Sequence, residues 1–184
     1  MKAIAIIEHE HRAITAVIEG LRHVLAGAQA GQAPDPALLA AMFGYIERFP
    51  EKLHHPKEDD WLFARLRERR PDAVALLDAL HREHEVGRDR FADLKVVYER
   101  YRADPATLPA FAEAVERYAH FHWKHMRREE EEVLPLARDA LTAEDWSAID
   151  AAFASNDDPI VGVPARKAFR ELFRRLAALW PDRA

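Results

Sequence analysis

The sequence predicts an all-α protein, an up-down-up-down four-helix bundle with a C-terminal helical extension. Hydrophobic residues make up 49% of the 184 positions and charged residues 32%, and only six residues are glycine. This composition favours helices. Apolar residues recur at spacings of three and four over four long stretches that short turns connect. We expect the bundle to occupy residues 1–140 and the extension to occupy residues 141–184.

The first helix is expected to run from about Lys2 to Gln29. Its apolar residues alternate by three and four positions, which is the pattern of a bundle seam. The seam consists of Ile4, Ile7, His11, Ile14, Ile18, Leu21 and Leu25. His11 therefore faces the core and His9 does not. Glycines and prolines after residue 26 mark the end of the helix.

The second helix is expected from Pro36 to about Arg69, with proline interruptions at Pro50 and Pro56. Proline removes a helical hydrogen bond and kinks or restarts a helix. The apolar face before the interruption consists of Leu39, Met42, Ile46, Phe49 and Leu53. That face does not place His54 at its centre. A phase reset at one of the prolines would turn His54, Glu58 and Leu62 inward.

The third and fourth helices each place histidine on an apolar seam. Pro71 opens the third helix and the pair at residues 104–105 makes the turn that follows it. Its seam consists of Leu77, Leu80, His84, Phe91, Leu94, Tyr98 and Tyr101. The fourth helix should run from about Pro105 to Ala140, with Pro135 kinking or ending its ligand-bearing part. Its seam consists of Phe111, Val115, Tyr118, His122, His125, Glu129 and Leu136.

Two short helices are expected in the extension. Thr142, with Asp145 three residues later, resembles an N-cap that opens a helix through about Ala154. Residues 155–159 read as a loop. Pro164 then opens an amphipathic helix whose apolar face consists of Phe169, Leu172, Phe173, Leu176 and Trp180.

Composition excludes several classes of function. The chain has no cysteine, which rules out disulfides, thiolate metal sites, iron–sulfur clusters and thiol catalysis. Its formal charge of −5 gives no reason to expect a nucleic-acid partner. No stretch is long enough to span a bilayer, so we expect no membrane partner and a cytoplasmic location. Serine occurs only at residues 147 and 155, which gives no support for a Ser–His–Asp triad.

Histidines and carboxylates on the four seams form the candidate site. His54 and Glu58 are four residues apart, hence on one helical face, and His125 and Glu129 repeat this spacing. The complete candidate metal-ligand set is His11, His54, Glu58, His84, His125 and Glu129. Burial of so many polar groups without a metal would cost several kcal/mol. Four imidazoles and two carboxylates that can bridge suit a two-metal site, with iron or manganese preferred over structural zinc.

Two other cofactor sites compete with this interpretation. Glu8-x-x-His11 and Glu51-x-x-His54 match the Glu-x-x-His spacing of ferritin-like di-iron sites. That scheme gives no role to His84, His122 or His125, so we prefer the His-x-x-x-Glu interpretation. A bis-histidine haem bundle would not need the paired carboxylates.

The motifs resemble the hemerythrin-like family with an HHE cation-binding domain. The resemblance covers about residues 2–140. It rests on Glu10-His11-Arg12, His54-His55-Pro56-Lys57-Glu58-Asp59 after Phe49-Pro50, Glu83-His84, and His125-Met126 with Glu129-Glu130 and Leu134-Pro135. It implies a four-helix bundle that holds two iron ions with an oxo or hydroxo bridge, through the six residues named above. Manganese or zinc could replace iron.

The sequence departs from the pattern of oxygen-carrying hemerythrins. Those proteins have His-x-x-x-His in the third helix, whereas Leu80 lies four residues before His84. The fourth helix pairs His125 with Glu129 at +4, where the carriers use an aspartate at +5, and Glu130 holds that position. These departures resemble the bacterial subgroup that includes the repair-of-iron-centres proteins, and they argue against simple oxygen carriage.

Three functions follow as alternatives. We expect the centre to bind or sense a small diatomic or peroxidic ligand, namely oxygen, nitric oxide or hydrogen peroxide. A di-iron redox enzyme or an iron-centre repair protein, acting in oxidative or nitrosative stress, is the second. An interaction module, with the last helix packing on a partner or in a homodimer, is the third. Ligation by His55, His81, His122 or Glu130 stays open, with His55 expected to be exposed or beside the ligands.

Overall fold

A computed structural model describes residues 1–154 and 167–179, and this part of the chain is helical with no strand. We number six helices, of which the second and fourth contain internal π-helical turns. They are α1 (Lys2–Gln29), α2 (Pro36–Arg48, Pro50–His54, His55–Lys57, Glu58–Phe63 and Ala64–Arg69), α3 (Val74–Ala103), α4 (Leu108–Arg128, Glu129–Val133 and Leu134–Ala140), α5 (Ala143–Ala154) and α6 (Lys167–Ala178). Short 3₁₀ turns, Pro71–Ala73 and Pro105–Thr107, lead into α3 and α4.

The turn between α1 and α2 is fixed by local chemistry. Gly31 has φ +90°, a left-handed conformation that glycine adopts without steric cost. Asp35 then caps α2, because its carboxylate accepts hydrogen bonds from the backbone N–H groups of Ala37 and Leu38. Pro36 occupies the first turn, where no N–H is needed. The turn therefore ends α1 and starts α2 within a few residues.

Two π-helical turns in α2 produce the predicted phase reset. They span Pro50–His54 and Glu58–Phe63, next to the prolines that the sequence marked. A π turn inserts an extra residue and so rotates everything that follows relative to the preceding face. As a result His54, Glu58 and Leu62 are all buried, as are Met42 and Ile46 before the first π turn. The reset is confirmed.

A third π turn, Glu129–Val133, lies in α4 and begins at the candidate ligand Glu129. It shifts the buried face, so that Val133, Leu134 and Ala137 are buried. Leu136, which the sequence placed on the seam, is partly buried and packs against the edge of the apolar cluster. Pro135 sits in the first turn of the last α-helical part of α4, which runs on to Ala140. The irregularity thus precedes the proline.

Two apolar clusters flank a polar layer. One cluster contains Ile14 to Leu25 of α1 and the early part of α2, and the other contains Ile4 and Ile7 of α1 and the late part of α2. The order of the clusters reverses from each long helix to the next, so successive helices run antiparallel. Buried histidines and glutamates occupy the level between the clusters on all four helices.

Helices α5 and α6 pack on the four long helices. Trp146, Ile149 and Phe153 of α5 join the apolar cluster at the start of α1. Leu172 and Leu176 of α6 join the other cluster, with Leu176 against Gly20. The division at residue 140 stays a prediction, because both extension helices share these cores. The predicted loop at residues 155–159, Pro164, Trp180 and the side chains of Phe169 and Phe173 lie outside the described residues.

The predicted N-cap of α5 is confirmed. The Thr142 hydroxyl accepts a hydrogen bond from the Asp145 backbone N–H at 3.2 Å, and the Asp145 carboxylate accepts from the Thr142 N–H and hydroxyl. Arg69 at the end of α2 donates two further hydrogen bonds to Asp145. Within the described ranges, no helix has the length and apolar character that crossing a bilayer requires.

Candidate metal centre

The six residues singled out from the sequence converge in the polar layer. His11 comes from α1, His54 and Glu58 from α2, His84 from α3, and His125 and Glu129 from α4. Each side chain is at most 3% exposed. The antiparallel order and the π turn of α2 bring them to one level. One ligand atom each from His11, His54 and Glu58 lie within 4.8 Å of one another, as do atoms from Glu58, His84 and Glu129.

The carboxylates of Glu58 and Glu129 lie between the four histidines. Glu58 oxygens are 3.7 Å from His11 Nε2, 3.4 Å from His54 Nε2 and 3.6 Å from His84 Nε2. Glu129 oxygens are 3.5 Å from His11 Nε2 and 3.3 Å from the Nε2 atoms of both His84 and His125. Each carboxylate thus reaches both halves of the cluster, which is the placement that bridging between two cations requires.

Each of the four histidines is paired with a carboxylate on its outer side, through an Nδ1–H that donates the hydrogen bond. The pairs are His11 with Glu130 at 2.9 Å, His54 with Glu10 at 2.8 Å, His84 with Asp59 at 3.0 Å and His125 with Glu83 at 3.0 Å. Such carboxylates fix the tautomer and ring orientation of metal-ligating histidines and raise their basicity. The four Nε2 atoms lie on the opposite side, each within 3.7 Å of a Glu58 or Glu129 oxygen, and are the nitrogens available to a metal.

Several of the inward atoms are buried without a hydrogen-bond partner among the described residues. They are His11 Nε2, His54 Nε2, His125 Nε2, Glu58 Oε2 and Glu129 Oε2. An unsatisfied buried polar atom costs about 1–3 kcal/mol, so a cluster of such atoms is unfavourable unless a ligand compensates it. Cations at the centre would satisfy all five atoms at once, so the donor set fits a metal.

The electrostatics divide the histidines into two groups. Burial alone would lower the pKa of His11 and His84, but the carboxylates around each raise it to about 10. Burial lowers the pKa of His54 to about 4, with Glu58 opposing the shift. Burial would raise the pKa of Glu129, but His125, His84 and His11 hold it well below its usual range. Without a metal, protons on His11 and His84 neutralise part of the carboxylate charge.

The four residues whose ligation stayed open occupy different places. His55 is 3% exposed, so the expectation that it could be exposed is wrong, and it groups with His84 and His125 within ligand distance. His122 is buried with its ring against Gly87 of α3. His81 is half-exposed and contacts Asp59 at 3.0 Å. Glu130 holds His11 from the outer side.

Glu10, Asp59 and Glu83 were not identified as functional from the sequence. Glu10 and Glu83 directly precede His11 and His84, and Asp59 directly follows Glu58. Each of the three carboxylates bonds a histidine on another helix. A carboxylate adjacent to a ligand along the chain is the available signal. A residue next to an inward-facing one lies at the edge of the buried face, from which its side chain can reach the neighbouring helix.

The ferritin-like alternative does not match the geometry. Glu8 is partly exposed and pairs with Arg138 on the surface. Glu51 is buried, but its nearest imidazole is that of His55, at 3.9 Å. Neither carboxylate belongs to the groups that could hold a metal in the described part of the chain.

A surface pocket of about 300 Å³ lies between α1 and α4. His11, Trp123 and Glu130 are among the residues that line it. Glu130 is 44% exposed while it bonds His11. The pocket therefore connects solvent to the outer edge of one histidine ligand.

Comparison with known proteins gives one family match. Residues 2–137 match the model of the hemerythrin HHE cation-binding domain. This range contains all six candidate ligands and the four carboxylates that hold the histidines. Comparison with curated proteins found no match, and comparison with solved structures found none either.

Proposed function

Because the chain belongs to the hemerythrin HHE cation-binding domain family, we propose that it is a non-haem di-iron protein that binds or senses oxygen, nitric oxide or peroxide. The ligands we assign to the iron ions are His11, His54, Glu58, His84, His125 and Glu129. The four long helices would then form the family's four-helix bundle around the centre, and α5 and α6 its extension.

One observation carries this proposal. Four buried histidines, one from each long helix, are held on the Nδ1 side by a carboxylate and direct Nε2 toward Glu58 and Glu129. A structural core would gain nothing from four such pairs around two further buried carboxylates, since each unsatisfied group is costly. A pair of cations that both carboxylates bridge accounts for every one of these side chains.

The donor chemistry supports iron. Imidazole nitrogen and carboxylate oxygen suit iron and manganese, and the chain offers no thiolate. An iron pair supplies open coordination positions and the electrons for reaction with oxygen or peroxide. The protein orients the imidazoles through its outer carboxylates, excludes bulk water by two apolar clusters and supplies the bridging carboxylates.

Burial limits the ligand to a small molecule. The six proposed iron ligands are nearly inaccessible, and apolar side chains cover the polar layer on both sides. A diatomic molecule or a peroxide can enter such a site without rearrangement of the helices, whereas a larger substrate cannot. The manganese and zinc forms, the cytoplasmic location, the role in stress response and the homodimer remain predictions.

The test is anaerobic loading of the purified protein with iron(II), followed by titration with oxygen, nitric oxide or hydrogen peroxide under an optical spectrometer. We expect charge-transfer bands that appear with one of these ligands and require the loaded protein. A reversible change with oxygen or nitric oxide supports binding or sensing. Spectra identical to those of free iron in all three titrations would contradict the proposal.

The enzyme alternative gives a different result in the same experiment. A di-iron redox enzyme, or a repair protein that donates iron, would consume peroxide or nitric oxide repeatedly with a reductant, or lose its iron to an acceptor protein. Sustained turnover therefore identifies catalysis. A single stoichiometric change identifies binding.

A further inference from the structure

His55 and Glu51 form a buried pair beside the centre. The His55 ring stacks on that of His84, with centroids 4.4 Å apart and planes 13° from parallel. One ligand atom each from His55, His84 and His125 lie within 4.8 Å of one another. These three imidazoles thus form one of the groups that could hold a metal ion.

Glu51 faces His55 in the way that a carboxylate faces each of the other four histidines. Those carboxylates are Glu130, Glu10, Asp59 and Glu83. Both Glu51 oxygens are buried and lack a hydrogen-bond partner in residues 1–154 and 167–179, and so does His55 Nδ1. Glu51 Oε2 lies 3.9 Å from His55 Nδ1, somewhat beyond a hydrogen bond. The pair therefore has the carboxylate–imidazole arrangement of the other four, with the final contact not closed.

The third helix supplies only one histidine to the centre. Leu80, four residues before His84, belongs to an apolar cluster. Gly87, three residues after it, leaves space that the rings of Phe121 and His122 occupy. The first π turn of α2 ends at His54, and His55 follows directly. Both histidines are buried.

We propose that His55 is a fifth histidine ligand, on the ion held by His84 and His125, and that Glu51 is the positioning residue that orients it. This inference rests on the proposed two-iron centre. It makes the centre asymmetric: one ion has three imidazoles and the two bridging carboxylates, and the other has only His11, His54 and the same carboxylates. The ion with fewer protein donors is the one on the side of His11, which also lines the surface pocket.

The test counts ligating histidines by proton NMR of the iron(II)-loaded protein. Each imidazole bound to iron(II) gives one exchangeable N–H resonance with a large hyperfine shift. We expect five such resonances in the unaltered protein and four in His55→Phe. His122→Phe is the matched control, because His122 is an equally buried imidazole that belongs to none of the ligand groups found among the described residues, and it should keep five.

Glu51→Ala tests the positioning role. The Glu51→Ala protein should keep five resonances. The resonance that is lost in His55→Phe should change its chemical shift. Four resonances in the unaltered protein, with two irons bound, would overturn the role of His55 and leave the proposed function standing. A protein that binds no iron would overturn both. The count in the unaltered protein decides the question even if a variant fails to fold.

Discussion

Proton release on metal binding follows directly from the charge distribution of the centre. The pKa values of His11 and His84 are raised to about 10, so both imidazoles are protonated at pH 7 in the metal-free protein. The pKa of His54 is about 4, so this ring is already neutral. A ligating imidazole must be neutral. Metal binding at pH 7 therefore displaces one proton from His11 and one from His84.

The affinity of the protein for iron(II) should therefore increase with pH. Each displaced proton makes the association constant rise about tenfold per pH unit, which is about 1.4 kcal/mol. Two protons give about a hundredfold, or about 2.7 kcal/mol, per unit between pH 6.5 and 7.5. Calorimetry of anaerobic iron(II) binding in buffers of different ionisation enthalpy measures the release directly. Release of less than one proton per chain would refute the reasoning.

A variant pair locates the effect. Glu130→Gln removes the carboxylate that bonds His11 Nδ1, and so lowers the pKa of His11 and reduces the proton release. Glu131→Gln is the matched control, since Glu131 is 60% exposed and pairs with Arg127 on the surface. It should leave the release unchanged. Equal release in both variants would show that Glu130 does not hold the proton on His11.

Two further predictions concern the extension helices. Leu176→Ala should lower the free energy of unfolding by about 2–5 kcal/mol in chemical denaturation, because Leu176 is buried against α1. Arg174→Ala, on the exposed face of the same helix, should change it by less than about 0.5 kcal/mol. Equal effects would show that α6 is not docked. Asp145→Ala should cost about 1–2 kcal/mol at pH 7, because the Asp145 carboxylate accepts hydrogen bonds from the Thr142 N–H and hydroxyl at the cap of α5. Arg69 and Thr142 lower the pKa of Asp145. Asp145 therefore stabilises the fold above its ordinary pKa of 3.8, and this stabilisation is lost as pH falls through its pKa in the folded protein. A loss of stability in Asp145→Ala that persists in acid would contradict this.

Much of the fold could be predicted because helical periodicity is a local property. The seam of α1 and the N-cap at Thr142 are written in neighbouring residues and are confirmed. The reset in α2 could be placed near its prolines. The π turn at Glu129–Val133 could not be predicted, because a run of four glutamates gives no apolar period.

The candidate ligands could be chosen from the sequence because polar residues on an apolar seam are conspicuous. The carboxylates that bond the histidines are harder to choose, since only adjacency to a candidate ligand distinguishes Glu10 and Glu83 from surface glutamates, and their partners lie on another helix. The burial of His55 depends on two consecutive residues both facing inward after a π turn, which no simple period describes.

Iron content per chain tests the central claim most directly. We expect two iron ions per chain in the anaerobically loaded protein, a sharp loss in His54→Ala and in Glu58→Ala, and no change in His9→Ala, whose side chain is exposed on α1. Elemental analysis with a protein assay gives the ratio. Two irons in the unaltered protein and in His9→Ala alone would support the centre. A folded protein that binds no iron, or equal iron in all four proteins, would contradict it.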